Sequence, residues 1–330
     1  MTENSLMVWR NIDPVEAETR LAVIRRRDAE LDEAFKNQIV MQRHHPNSFA
    51  VSLATKSLEA RRDIIASEIK DLLRYRVNEP VRLSLDGSSF HDHSAGIGTL
   101  AIFLIRFQKL YSAVAQAIQT GPTLRGPIAL ALREATELRL AELYPSSFGM
   151  ELYVPTQLDI MGRSVSADSL YKMFELLQSS DDDKKLMEMS GTLGGRVVSH
   201  LRSLASQLSN SETVINLSWN DYTGNTNLWS SSSDNSRKIV ANLKEIIHVS
   251  SSKKTYVGVL GGGSLFRHSF ELRRSDDGAL IEGSMLPVLL DDMKENFGKS
   301  CVVDVDETEV TDKASGEKKT YYILTGIKSE

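Results

Sequence analysis

The sequence has little cysteine: one residue, Cys301, in 330. A single thiol excludes an internal disulfide framework and a zinc site built from several cysteines. It also fits a protein of a reducing compartment, so we expect a cytoplasmic location. Because Cys301 falls on the apolar side of a strand pattern, we do not expect it to be a reactive thiol.

Long hydrophobic runs are also missing. The longest apolar stretch, TLAIFLIRF at residues 99–107, is interrupted by Arg106. It is far shorter than the roughly 20 apolar residues that a membrane-spanning helix needs. The first 14 residues have no apolar core and include Glu3 and Asp13, which is unlike a secretory or transit leader. We therefore expect no membrane association.

The chain has no excess of positive charge, since its net charge is −5. The formal charge is 0 over residues 1–79, −2 over residues 80–250 and −3 over residues 251–330. None of these segments has the basic excess that binding to a phosphate backbone requires. Arginine clusters at residues 25–27 and 61–62 could form a local basic patch, but such runs are typical of solvated helix faces. Charge therefore does not favour nucleic acid as a partner.

Two charged helices are predicted within residues 1–79. Asp13 and Pro14 indicate a helix start, and the sequence HPNS at residues 45–48 ends that helix. A second helix is predicted over residues 53–75, with one apolar face formed by Leu58, Ile65, Ile69 and Leu72. Two helices with narrow apolar stripes predict an antiparallel hairpin that packs on the body or on a partner chain.

Residues 80–250 mix strand and helix patterns. Strands are predicted at residues 81–87 and 213–219 and in a hairpin over residues 136–155. Helices are predicted at residues 97–119, 167–178 and 236–248. Ser166 is the predicted N-terminal cap of the second of these helices, and residues 220–236 are predicted to be a polar loop that leads into the third. These patterns predict one mixed α/β domain.

Three consecutive glycines at residues 261–263 raise the question of a phosphate-binding loop. Such a loop needs a lysine and a serine or threonine after its glycines, followed by a helix whose N-terminus attracts the anion. Residues 269–273 instead alternate as a strand, with Phe270 and Leu272 on one side. The glycines therefore predict a bend or bulge between two strands.

The order strand, strand, strand, helix, strand, strand in residues 251–330 resembles the element order of the OB-fold or of a related small barrel. This resemblance rests on the order of elements and not on a sequence motif. The chain is therefore predicted to be a mixed α+β protein. Its three predicted parts are an N-terminal helical hairpin (1–79), a central mixed α/β domain (80–250) and a C-terminal small five-stranded OB-like β-barrel (251–330).

No catalytic constellation or cofactor motif is evident, so we predict neither a catalytic residue nor a cofactor. His91 and His93 are weak candidates for metal ligands, because alternate histidines in a loop more often have structural or solvent-exposed roles. Asp304 and Asp306 lie on the polar side of a predicted strand and could hold Mg²⁺. Outward-facing charges on a barrel strand also prevent its edge from pairing with another chain, and this is the more ordinary interpretation of the two carboxylates.

The polar loop after the strand at residues 213–219 is the candidate binding segment. Long loops at the ends of strands often carry binding function. Tryptophan, tyrosine and arginine, all present in or just after this loop, are the residue types that dominate interface hot spots. The candidate binding residues are Trp219, Asp221, Tyr222, Trp229, Arg237 and Lys238. The alternative is that Trp219 is a core residue and the loop is merely polar.

These observations favour a non-catalytic protein-interaction, regulatory or assembly subunit that has a protein partner or self-associates. The first alternative is a nucleic-acid-binding protein that uses the barrel and the arginine-rich helices. The second is a metal-dependent hydrolase or nuclease that uses the acidic strand. A bacterial multi-gene system for defence or toxin control would be a fitting context for such a subunit, although no residue points to it.

Overall fold

The computed structural model describes residues 8–44, 48–73, 75–123, 126–156, 164–221, 225–245, 249–264, 268–311 and 318–329. In this part of the chain, an N-terminal helical hairpin precedes a five-stranded sheet with helices and then a closed five-stranded barrel. The predicted fold class, mixed helix and strand with N-terminal helices and a small C-terminal β-barrel, is confirmed.

The hairpin consists of α1 (Pro14–His44) and α2 (Phe49–Leu73). The Asp13 Oδ1 atom accepts hydrogen bonds from the backbone N–H groups of Val15 and Glu16, at 2.9 and 3.0 Å. Asp13 thus satisfies two of the N–H groups that a helix start leaves without an intrahelical acceptor. The predicted start of this helix is confirmed.

The sheet of the central region is antiparallel and has the strand order β4-β5-β1-β6-β7. Its strands are β1 (Asn78–Asp86), β4 (Arg139–Tyr144), β5 (Phe148–Pro155), β6 (Val214–Asn220) and β7 (Thr226–Ser231). A short ladder, β2 (Phe90–His91) with β3 (Ser94–Ala95), follows β1. Because β1 lies between β5 and β6, the strand order and connections are those of a split β-α-β arrangement extended by β7.

The helices of the central region are α3 (Ile97–Thr120), α4 (Leu130–Ala135), α5 (Val165–Gln178), α6 (Asp183–Asn210) and α7 (Ser233–Glu245). By length and composition α3 would also suit a membrane span, which the sequence patterns did not predict. Its side chains Phe103, Phe107, Leu110 and Tyr111 are buried in the same core cluster as Val81 of β1. In this fold α3 is therefore the central core helix.

Three local predictions in this region are corrected. The cap of α5 is Ser164, whose Oγ accepts from the Ala167 N–H at 3.3 Å, whereas the Ser166 hydroxyl donates to the Ala135 carbonyl. Residues 226–231 form β7 within the predicted polar loop. Trp229 is the one apolar side chain that this strand buries, so the strand lacks the apolar alternation by which the sequence could have indicated it. Helix α7 begins at Ser233, three residues earlier than predicted.

The barrel is closed by β8 (Val249–Ser264), β9 (Ser269–Arg274), β10 (Leu280–Met285), β11 (Ser300–Thr311) and β12 (Lys318–Ser329). Helix α8 (Leu290–Asn296) lies between β10 and β11, and β10 pairs with β12 in parallel. The register between β8 and β9 shifts between Leu260 and Gly262, so the bulge predicted at the glycines is confirmed. Classification of this barrel as OB-like remains a prediction.

The strands β8, β11 and β12 continue beyond the barrel as a ribbon that contacts α6. Val310 of this ribbon is buried in the core cluster of the central region, and Tyr321 packs against the same cluster. Gly191 of α6 makes the contact possible, since an added Cβ there would lie 2.1 Å from a ring carbon of Tyr321. The barrel and the sheet thus share a packed boundary, and the exact domain limits remain a prediction.

We predict that Gly191→Ala destabilises the protein by about 1–3 kcal/mol, because the new methyl group overpacks the contact with Tyr321. Gly98→Ala in α3 is the matched control, since an added Cβ there meets no atom within 4 Å. The control should be neutral or slightly stabilising, because alanine favours helix more than glycine does. Urea unfolding of both variants measures the difference; equal midpoints would contradict the assigned contact.

Candidate functional site

The two tryptophans of the candidate binding segment lie in the core. Trp219 is 2% exposed and Trp229 is 8% exposed. The Trp219 ring stacks on Phe174 of α5, with 6.1 Å between the ring centroids. Neither indole is presented to a partner, so the alternative in which Trp219 is a core residue is the one observed.

The remaining candidate binding residues do not share one surface with the tryptophans. Asp221 is buried, and its carboxylate accepts from the backbone N–H of Asn225 at 2.9 Å. Arg237 and Lys238 lie on the exposed side of α7, where Arg237 pairs with Asp234 at 2.8 Å. Tyr222 lies outside the described residues. A binding role for this set remains a prediction.

The two candidate metal-ligating histidines are separated by the turn of a small hairpin. His91 belongs to β2, and His93 follows it with a positive φ of 60°. The His93 Nδ1 atom accepts a hydrogen bond from the Ser146 N–H at 3.4 Å. Within the described ranges, no three His, Cys, Asp or Glu side chains lie close enough together to hold a metal ion.

The two candidate carboxylates of β11 have different environments. Asp304 accepts from the Thr255 hydroxyl at 2.8 Å and from Lys328 Nζ at 3.2 Å, and these hydrogen bonds lower its pKa. Asp306 is buried, and burial raises its pKa although Lys253 opposes that shift. The ladder shifts register between Asp304 and Val305, so the two carboxylates do not converge on one site.

A buried polar network, which we call the hairpin root, joins the N-terminal hairpin to the sheet. Arg76 and Glu79 form an ion pair at 2.8 Å with side chains only 6% and 2% exposed. The Trp219 indole N–H donates to the same carboxylate at 3.0 Å, and Arg76 also donates to the Asn220 carbonyl at 3.3 Å. From α1, Arg25 donates to the Asp221 carbonyl at 3.2 Å. The root therefore connects the hairpin to β1 and to the end of β6.

Burial sets the electrostatics of the hairpin root. It raises the pKa of Glu79, and the attraction of Arg76 together with hydrogen bonds from Trp219 and Thr156 only partly offsets this rise. Burial also lowers the pKa of Arg25, in part opposed by Glu18 and assisted by Arg76. The cluster is costly to bury, so each charge depends on its partner.

Apolar packing completes the attachment of the hairpin. The buried cluster at its base consists of Trp9, Ala17, Leu21, Ile24, Leu72 and Leu73. Backbone hydrogen bonds join the segment that precedes α1 to the segment that follows α2. The Arg10 N–H donates to the Tyr75 carbonyl, and the Val77 N–H donates to the Val8 carbonyl. The base of the hairpin is therefore fixed on the body.

We predict that Arg76→Met costs about 3–5 kcal/mol of stability at neutral pH, because it leaves the Glu79 carboxylate buried without a counter-charge. Burial already raises the pKa of Glu79 in the folded protein. The stability that this raised pKa contributes is fully present below the pKa of Glu79 in the unfolded chain, and it is lost as pH rises through the pKa in the folded protein. Removing Arg76 raises this pKa further, and the variant should recover stability as pH falls. Unfolding curves across pH measure this.

The control for this prediction is the double variant Arg76→Met/Glu79→Gln, which removes both charges. Its stability should lie closer to that of the unchanged protein at neutral pH and should lack the added pH dependence. If the single and the double variants were equally unstable at all pH values, the ion pair would not have the role assigned to it.

Beyond the root, the hairpin projects as a distal arm, which we define as residues 27–44 and 48–68. At 1.5 Å per residue, the 31 residues of α1 extend roughly 46 Å. Among the described residues of the distal arm, Leu31 alone is buried. Large apolar side chains are exposed along it: Ile39, Val40, Met41, Phe49, Leu53 and Ile64. Phe49 at the tip is 81% exposed.

A groove of about 330 Å³ runs between the two helices of the distal arm. Its floor is apolar and consists of Leu31, Ala34, Leu58, Ile64 and Ile65. Its rim carries charges of both signs, from Arg27, Arg61, Glu30 and Glu68. The sequence patterns predicted the hairpin but not this groove, because the floor forms only when side chains from both helices meet.

Several arginines of the two basic clusters face carboxylates. Arg26 pairs with Glu30 at 3.1 Å, Arg27 lies 3.8 Å from Glu68, and Arg62 lies 3.6 Å from Asp32. These pairs are exposed and add little stability, but they reduce the positive potential of the arm. They therefore weaken the case for a phosphate backbone lying along the hairpin.

The chain has no match among the family models, the curated proteins or the solved structures with which it was compared. The distal arm has an apolar groove near its base and exposed apolar side chains toward its tip, and the hairpin root holds the arm on the body.

Proposed function

We propose that the protein is a non-catalytic interaction and assembly subunit whose distal arm contacts the distal arm of a second copy. The observation that carries this proposal is the apolar groove of the arm, together with the exposed apolar side chains that lie between the groove and the tip. Exposed apolar patches of this kind, rimmed by charged residues, are typical of protein-protein contact sites.

The energetics of the arm favour a partner. Helices in proteins gain most of their stability from packing of an apolar face, and the described part of the distal arm buries little beyond Leu31. Full burial of a large apolar side chain contributes about 1.5–3 kcal/mol. Twelve such side chains from two copies would contribute up to about 18–36 kcal/mol if all were buried completely, which exceeds the roughly 4–15 kcal/mol that association costs.

The spacing along the arm suggests how two copies meet. Phe49 and Arg61 are both in α2, and a separation of twelve residues spans about 18 Å of helix. If two arms lie antiparallel, the tip of each copy reaches the groove of the other. Such a contact is made twice about a two-fold axis and closes on itself, as in most homodimers.

The charges of the groove rim are compatible with this pairing. Arg27 and Arg61 lie beside Glu30 and Glu68, so the rim is nearly neutral as a whole. Two identical rims related by a two-fold axis can place opposite charges together, whereas a rim of one sign would repel its copy. A second copy is therefore the occupant that fits the arm.

We predict that Phe49→Ser weakens self-association at least tenfold, because it removes the tip side chain that enters the groove. Phe297→Ser is the matched control, since Phe297 is also exposed but lies beside α8 of the barrel. Sedimentation equilibrium over a range of protein concentrations measures both variants. A chain that stays monomeric at every concentration, or equal weakening by both substitutions, would refute the proposal.

A mixing experiment tests the tip-to-groove geometry. Ile64→Asp places a charge on the groove floor at a residue that is already 58% exposed. Each single variant alone retains no intact contact in its homodimer, because every contact joins a tip to a groove. A mixture of Phe49→Ser and Ile64→Asp chains should form a heterodimer with one intact contact, so association should partly recover. No recovery would contradict this arrangement.

A further inference from the structure

A second cavity, which we call the side cleft, lies between α3, α4 and α6, away from the distal arm. Its volume is about 600 Å³, which is within the range of small-molecule sites. The charged and titratable residues that line it are Lys109, Arg133, Glu134, Glu137, Arg196 and His200. The proposed assembly function does not use this cleft.

The wall of the side cleft is held in place by side-chain hydrogen bonds. Gln108 Nε2 donates to the Thr136 carbonyl at 2.8 Å, and Gln108 Oε1 accepts from the Leu138 N–H at 2.8 Å. These bonds tie α3 to the segment that follows α4. Ser112, which also lines the cleft, hydrogen-bonds Thr136 at 3.0 Å. The cleft is therefore preformed.

Arg196 presents a fixed guanidinium group at the cleft. It donates to the Gln116 side chain and to the Gly126 carbonyl. Gln116 is buried and donates in turn to the Thr123 hydroxyl at 3.0 Å. These contacts orient Arg196 through neutral acceptors, so its positive charge is not cancelled by them.

Two further cations border the cleft without a salt bridge to any described residue: Lys109 of α3 and Arg133 of α4. Two acidic residues also line the cleft. One of them, Glu137, forms an ion pair at 3.2 Å with Arg139, which does not line the cleft. Counted together with Arg139, which offsets Glu137, four cations and two carboxylates leave a formal charge of about +2 at the cleft and its rim. That charge matches a phosphate group, which carries about −1.5 to −2 at neutral pH.

The pKa of His200 depends on the electrostatic potential inside the cleft. Its pKa is lowered chiefly by burial and further by the nearby cations Lys109 and Arg196. The cations therefore act on the imidazole more strongly than any acidic group that faces it. Arg196 and His200 stand one turn apart on α6, on the side that faces Lys109.

We propose that the side cleft binds a small phosphorylated molecule, with Lys109, Arg133 and Arg196 around its phosphate group. Guanidinium groups suit this role because their planar array of N–H donors matches phosphate oxygens. The volume beyond the cations accommodates the organic part of such a ligand.

The experiment is a titration of the full chain with inorganic phosphate at low ionic strength, observed through the imidazole NMR signals. The His200 signals are assigned as those lost in a His200→Gln variant. Bound phosphate should raise the pKa of His200, because its negative charge offsets Lys109 and Arg196. The Lys109→Gln/Arg133→Gln variant should weaken phosphate binding at least tenfold.

The matched control is Arg273→Gln/Lys299→Gln, which removes two exposed charges from the barrel and has the same net charge. It should bind phosphate as the unchanged chain does. The proposal is overturned if the pKa of His200 does not respond to phosphate or if the control weakens binding equally. It is also overturned if acetate raises the pKa of His200 as much at the same concentration, since the cleft would then not select phosphate over a carboxylate.

Discussion

The ion pair between Arg76 and Glu79, closed by the Trp219 indole, is the interaction on which the orientation of the hairpin depends. Glu79 belongs to β1, the central strand of the sheet, and Trp219 belongs to β6 beside it. Arg76, which follows α2, therefore ties the end of the hairpin to two paired strands of the sheet. The proposed contact with a second copy depends on such a fixed base, since ordering a loose arm would reduce the affinity.

Helix α6 holds the barrel ribbon on the central region and also forms one wall of the side cleft. Its backbone departs from helical geometry at Gly194, where φ is 79° and where an added Cβ would lie 2.5 Å from Pro122. Gly191, one turn before this kink, receives the Tyr321 ring of the barrel ribbon, and Arg196 follows it at the cleft. The same glycine-rich segment thus permits barrel packing on one side and positions a cation on the other.

Much of the fold could be predicted because its elements carry local signals. Asp13 marks the start of α1, and the alternation of Phe270 and Leu272 identifies a strand after the glycines. The site could not be predicted in the same way. Glu79 beside Pro80 looks like a linker, and only the pairing of β1 with β6 brings it to Trp219. The groove and the cleft likewise combine residues far apart in sequence, so no local pattern indicates them.

Pairing of two distal arms is tested most directly by a distance between copies. Lys56 lies about midway between Phe49 and the groove, close to where the proposed two-fold axis would pass. Since Cys301 is buried, a spin label on Lys56→Cys can be introduced selectively. Pulsed electron spin resonance should then give a distance below about 30 Å between labels, because two helix diameters of 10–12 Å separate them. Absence of such a distance at concentrations where the chain self-associates would contradict the antiparallel arrangement.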